Sequence, residues 1–100
     1  MDVHTVIEDI EDRAGARVIR RKIYRTDDDT YPSGYCYALH HGYVDGRGVI
    51  LRYDNENRIP GRHEKHTPGG VEVIEFPGII PLPDRFLKAV AAYDPTTDPS

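Results

Sequence analysis

The stretch YCYALHHGYVDGRGVILRYDN, Tyr35 to Asn55, decides the fold. Tyr35 to Val44 and Val49 to Asn55 are strand-like runs, and Asp45-Gly46-Arg47-Gly48 separates them. Aspartate followed by glycine tolerates the positive φ angles of a tight reversal, so this pattern is a strong hairpin signal. With an even number of loop residues, antiparallel pairing puts Tyr35, Tyr37, Leu39, His41 and Tyr43 on one face with Ile50, Arg52 and Asp54. Cys36, Ala38, His40, Val44, Val49, Leu51 and Tyr53 then share the other face. An odd loop would exchange the partners.

Working outward, Ala16 to Arg25 is rich in β-branched residues and follows a turn-like Arg13-Ala14-Gly15, so it reads as a strand. Val3 to Ile10 fits helical spacing and strand length alike; it is read as a strand paired with the next one. Asp27 to Gly34 collects turn formers and is a surface loop. On the C-terminal side, Arg58 to Gly70 contains Pro60, Gly61, Pro68, Gly69 and Gly70 and reads as a long loop. Val71 to Phe76 is a short strand. A helix follows, with Pro83 in its first turn, Asp84 at its N-terminal end and Phe86, Leu87, Val90 and Ala91 along one side. Asp94-Pro95 ends it, and 96–100 is expected to be a disordered tail. The expected architecture is one α+β domain over residues 1–95, an antiparallel meander sheet of four to five strands with the C-terminal helix packed on one face.

Composition narrows the function classes. The chain has 100 residues, 17 acidic against 13 basic side chains, 38% hydrophobic residues and a single cysteine. Cys36 alone makes no internal disulfide, and no apolar run approaches the ~18 residues that span a bilayer. Nor does a basic N-terminus precede an apolar segment, as it would in a secretory signal. The expectation is a cytoplasmic protein without a membrane partner. The net charge of −4 speaks against a general nucleic-acid binder, but the charges come in blocks. Five acids lie between Asp2 and Asp12, and Asp27 to Asp29 form a second cluster. Between them Arg13, Arg17, Arg20, Arg21, Lys22 and Arg25 occur with no acid. A second basic-leaning stretch runs from Arg52 to His66. Such runs form either a cationic surface or a solvated strand edge.

The densest chemical constellation is Arg52-Tyr53-Asp54-Asn55 followed by His63-Glu64-Lys65-His66. Three readings fit it. Two histidines can serve as base and acid in RNA cleavage, while Arg52 or Lys65 stabilises charge on phosphorus without a metal. Alternatively, His63, His66 and Asp54 could hold a divalent metal whose bound water is the nucleophile. Thirdly, these are exposed loop residues, and Asp54-Asn55 caps a turn. Tyr35, Tyr37 and Tyr43 could stack on bases or simply pack in a sheet.

The run Gly46 to Asn55, then His63-Glu64-Lys65-His66, then Val71 to Phe76, resembles the TumE-like toxins of type II toxin-antitoxin systems. The resemblance covers roughly Ala16 to Val90, and its specific part is Tyr53-Asp54-Asn55 with the histidine segment. The sequence departs from the family's H-H-K-H form at Glu64, where a second histidine is often found. The resemblance implies a toxin acting on RNA, a ribonuclease silenced by a cognate antitoxin, expected to be a helix-turn-helix protein. The expected catalytic set is His63 and His66 as acid and base, Lys65 and Arg52 on the phosphate, and Tyr53 and Asp54 orienting them. Arg20, Lys22, Arg25, Tyr35, Tyr37, His41 and Arg62 are expected to contact RNA. No cofactor is expected in this version, a divalent metal in the alternative, and a homodimer is compatible with both. The rival reading is a non-catalytic module that binds RNA or the antitoxin, in which Glu64 marks lost activity.

Overall fold

The computed structural model describes residues 4–57 and 59–94. Its elements are β1 (His4–Ala14), β2 (Arg17–Thr26), β3 (Tyr35–Tyr43), β4 (Val49–Asp54), β5 (His63–Thr67), β6 (Gly70–Ile74) and α1 (Pro81–Ala92). The strands form one antiparallel sheet in the order of the chain, β1 to β6. Class, meander order and C-terminal helix are as expected, but the sheet has six strands rather than four to five. Val3 and the tail at 96–100 lie outside the described residues.

The extra strand is β5, which occupies part of the loop expected over 58–70. His-Glu-Lys-His-Thr has no aliphatic side chain to announce a strand, and prolines and glycines crowd both its ends. Its extended form comes from context: Arg52 to Asp54 pair with it on one side, and Gly70 to Ile74 pair with it on the other. β1 also runs longer than expected, to Ala14. It is an exposed edge strand held by backbone pairing and by ion pairs of Arg21 with Glu8 at 2.6 Å and Arg20 with Asp9 at 3.0 Å. Charged side chains of this kind discourage pairing with further chains.

Faces in the central hairpin follow from one irregularity. At the tip, Gly42 pairs with Val49 and the Tyr43 N–H donates to the Gly48 carbonyl at 3.0 Å. The next pair is His41 with Leu51, so Ile50 is an extra residue in β4, a β-bulge. Beyond it Leu39 lies opposite Tyr53 and His40 opposite Arg52. The face assignment expected for an even loop is thereby inverted: Leu39 and His41 share a face with Leu51 and Tyr53, while Ala38 and His40 share one with Arg52 and Asp54.

The apolar face carries the core: Ile19 and Ile23 of β2, Tyr37 and Leu39 of β3, Leu51 and Tyr53 of β4, and Leu82 and Phe86 of α1. The helix begins two residues before the expected Pro83, with proline at its start, and turns Leu82, Phe86 and Val90 to the sheet at four-residue spacing. Leu87 and Ala91, expected on the apolar side, are exposed, because the row meeting the sheet is Leu82, Phe86 and Val90 and each of the two stands about 100° round the helix from it. Burying Leu82 and Phe86 contributes about 1.5–3 kcal/mol each.

His63 is the polar member of this core, 6% exposed. Its ring stacks on Phe76 at 4.6 Å and on Tyr37 at 5.7 Å, and its Nδ1 lies 2.8 Å from the Tyr37 hydroxyl. Burial pushes its pKa below the ordinary 6.5. Asn55 completes the frame. Its side-chain oxygen accepts from the Tyr37 N–H at 2.9 Å and its amide donates to the Tyr35 carbonyl at 2.7 Å, so it continues the β3–β4 ladder past the end of β4.

Two outcomes follow from this core. Phe86→Ala is expected to cost about 3–5 kcal/mol of stability, read as a lower urea midpoint. Because His63 binds a proton more readily unfolded than folded, its neutral form stabilises the fold above pH ~6.5, and that stability is lost as pH falls below it. Urea midpoints measured from pH 7 to pH 5 should therefore decline.

Candidate functional site

The face opposite α1 is built by strand alternation. β2 sends Arg20, Lys22 and Tyr24 there, β3 Cys36, Ala38 and His40, β4 Arg52 and Asp54, and β5 Glu64 and His66. The register places His40, Arg52 and His66 side by side on three adjacent strands. A guanidinium thus lies between two imidazoles. Its Nη1 is 3.5 Å from His40 Nδ1, its Nε donates to Asp54 Oδ2 at 2.9 Å and its Nη2 to Glu56 Oε1 at 3.3 Å. Lys22 joins the row through Glu56 Oε2 at 3.5 Å. Asp54 is 6% exposed, and the Arg52 charge is what makes burial of its carboxylate tolerable.

On one side of Arg52, His40 is half-buried. Burial, and then the Arg52 charge, push its pKa below the ordinary imidazole value of 6.5. On the other side, His66 Nε2 sits 3.1 Å from Asp54 Oδ2 and 3.6 Å from Glu64 Oε1. That nitrogen is shut off from solvent. The contact with Asp54 has the distance of a hydrogen bond without its angles, which leaves Nε2 with no hydrogen-bond partner among the described residues. Arg62 holds the far oxygen of Glu64, its Nε donating to Oε2 at 2.8 Å.

The structure brings together part of the expected set. Arg52, Asp54 and His66 converge, with Lys22 and Arg20 on the same face and Arg62 beside Glu64. His63 does not join them: three positions apart in one strand, His63 and His66 point to opposite sides, and His63 lies in the core. Tyr53 and Lys65 face each other on the helix side, where Tyr53 is buried. Tyr37 and His41 are each 1% exposed, also on the helix side, and His41 Nε2 lies 2.8 Å from the Arg17 guanidinium. Tyr35 packs against the core, with the exposed Arg25 across from it. Arg20 engages Asp9 and Glu11 of β1.

Of the metal alternative, Asp54 and His66 stay together, but the third member is Glu64 rather than His63. One donor atom from each of Asp54, Glu64 and His66 lies within 4.8 Å of the others. His40, Glu56 and Glu64 were not in the expected site. Two signals bear on them: a His40-His41 doublet in a strand sends one imidazole to each face, and Glu64 stands two residues before His66.

Among the described residues no helix is long and apolar enough to cross a membrane. A family model described as Toxin TumE matches residues 2–94. No curated protein and no solved structure matches the chain.

The position of His40 depends on Gly42. A Cβ at Gly42 would lie 2.7 Å from His40 Nε2 and 3.1 Å from the Gly48 carbonyl. Gly42→Ala should keep the sheet and push the His40 ring away from its place. The check is NMR titration of the histidines, with the His40 pKa rising toward 6.5 in the variant and that of His63, lowered by its own burial, unchanged.

Proposed function

The chain belongs to the TumE toxin family, and from that premise we propose that it is the toxin of a toxin-antitoxin pair, cleaving RNA on the sheet face opposite α1. The observation that carries this reading is the row His40–Arg52–His66. Internal cleavage of RNA needs a base to take the 2′-hydroxyl proton, positive charge on the phosphate, and a group at the departing 5′-oxygen. His40, held neutral near pH 7, takes the proton in place of the buried His63. The 2′-oxygen then bonds to phosphorus as the bond to the 5′-oxygen breaks, and the Arg52 guanidinium stabilises the charge between them. The 5′-oxygen departs on the His66 side and takes its proton from solvent water, while His40 returns the 2′-hydroxyl proton to solvent. Asp54 and Glu56 hold Arg52 in orientation, and Lys22 and Arg20 extend the cationic track for the RNA backbone.

The cognate antitoxin remains an expected partner, and the acids of β1 and of Asp27 to Asp29 suit a basic surface on it. A non-catalytic RNA-binding or antitoxin-binding module is the second reading. It is favoured by the engagement of Arg52 with Asp54, Glu56 and His40 before any RNA arrives.

Expression of the chain alone should arrest growth and fragment cellular RNA. His40→Ala is expected to lower the cleavage rate by about 10²-fold or more while the purified chain stays folded. The wild-type rate should rise with pH along a limb whose midpoint lies below 6.5, since only the unprotonated imidazole accepts the proton. Intact RNA after prolonged incubation, with saturable binding, would move the choice to the non-catalytic module.

A further inference from the structure

We infer that Asp54, Glu64 and His66 form a binding site for one divalent first-row cation, such as Mn2+ or Zn2+, at the edge of the RNA-facing surface. The donor set is two carboxylates and an imidazole, contributed by β4 and by alternate residues of β5. Ligands about 2.0–2.2 Å from one small cation stand roughly 3.0–3.6 Å from each other. His66 Nε2 stands 3.1 Å from Asp54 Oδ2 and 3.6 Å from Glu64 Oε1.

The independent observation is the state of His66 Nε2. The His66 side chain is 27% exposed, but its Nε2 atom is closed to solvent and makes no hydrogen bond among the described residues, and a cation seated between it and the two carboxylate oxygens would satisfy it. The carboxylates are also oriented by guanidinium groups. Arg62 takes Oε2 of Glu64, which leaves Oε1 toward His66, while Arg52 donates to Oδ2 of Asp54, the same oxygen that faces His66, so that oxygen would serve both the guanidinium and the cation through its two lone pairs. Outer-shell partners of this kind are usual around metal ligands. Their positive charges lower the affinity for every cation, so the imidazole decides the class: mixed nitrogen and oxygen donors suit Mn2+ or Zn2+ better than Mg2+. Glu64, the departure from the H-H-K-H pattern, thereby becomes a ligand.

This site rests on the proposed RNA reading only for its use. Because Nε2 is closed to solvent, His66 does not hand a proton from that atom to RNA. A cation beside it would instead meet the negative charge that develops on the departing 5′-oxygen.

The test is Mn2+ binding followed by electron paramagnetic resonance, with the chain's fold checked by circular dichroism. Wild type should bind one Mn2+ per chain, Glu64→Gln and His66→Gln at least tenfold more weakly, and His4→Gln, altered at an exposed histidine of β1, as wild type. Absence of saturable binding at millimolar Mn2+, or binding indifferent to both substitutions, overturns the site. RNA cleavage that persists in EDTA with no Mn2+ bound overturns the cation's part in cleavage and leaves the ribonuclease reading standing. Mn2+ bound as expected by a chain that never cleaves RNA keeps the site and overturns that reading.

Discussion

One extra residue in β4, Ile50, determines what each face of the sheet contains. Because strand side chains alternate, a shift of one position exchanges everything beyond it between faces. With the bulge, Leu51 and Tyr53 meet Phe86 and Leu82 under the helix, and Arg52 and Asp54 stand on the opposite surface. Without it the guanidinium and carboxylate would be driven beneath α1, where burying charge costs far more than the pairing returns. The core and the candidate site are thus two results of one backbone irregularity.

The Tyr53-Asp54-Asn55 run shows how tightly those results are interleaved. Tyr53 fills the core, Asp54 holds Arg52 and lies against His66, and Asn55 pairs with the backbone of β3 at Tyr35 and Tyr37. Three consecutive residues therefore serve packing, charge and backbone pairing in turn. The histidines divide in the same way. His41 and His63 belong to the helix side with aromatic neighbours, and His40 and His66 flank Arg52.

Much of the fold was legible where local chemistry decides it. Asp45-Gly46 announced the central hairpin, Ala16 to Arg25 announced β2, and the helix was readable from Pro83, Asp84 and Phe86. β5 was not, because His63 to Thr67 is extended only through its neighbours on both sides, and context of that kind leaves no composition signal. The site was half legible for a related reason. Arg52, Asp54 and His66 were visible as residue types, but their grouping with His40 and Glu64 depends on a bulge and on a strand that periodicity does not reveal. Placing His63 and His66 together followed from reading their segment as a loop; extended backbone separates residues three apart onto opposite faces.

The meander order carries a kinetic meaning. Every strand pairs with its neighbour in the chain, so each hairpin closes only a short loop, and the entropy of bringing ends together stays small at every step. Sheets of this connectivity have fewer distant contacts to establish than Greek-key or crossover arrangements, and topologies rich in near-neighbour contacts fold faster. The main long-range step is the docking of α1 across β3, and α1 follows all six strands in chain order. Until Leu82 and Phe86 arrive, the apolar face is open to water while the face with Arg52 and His40 can already be assembled.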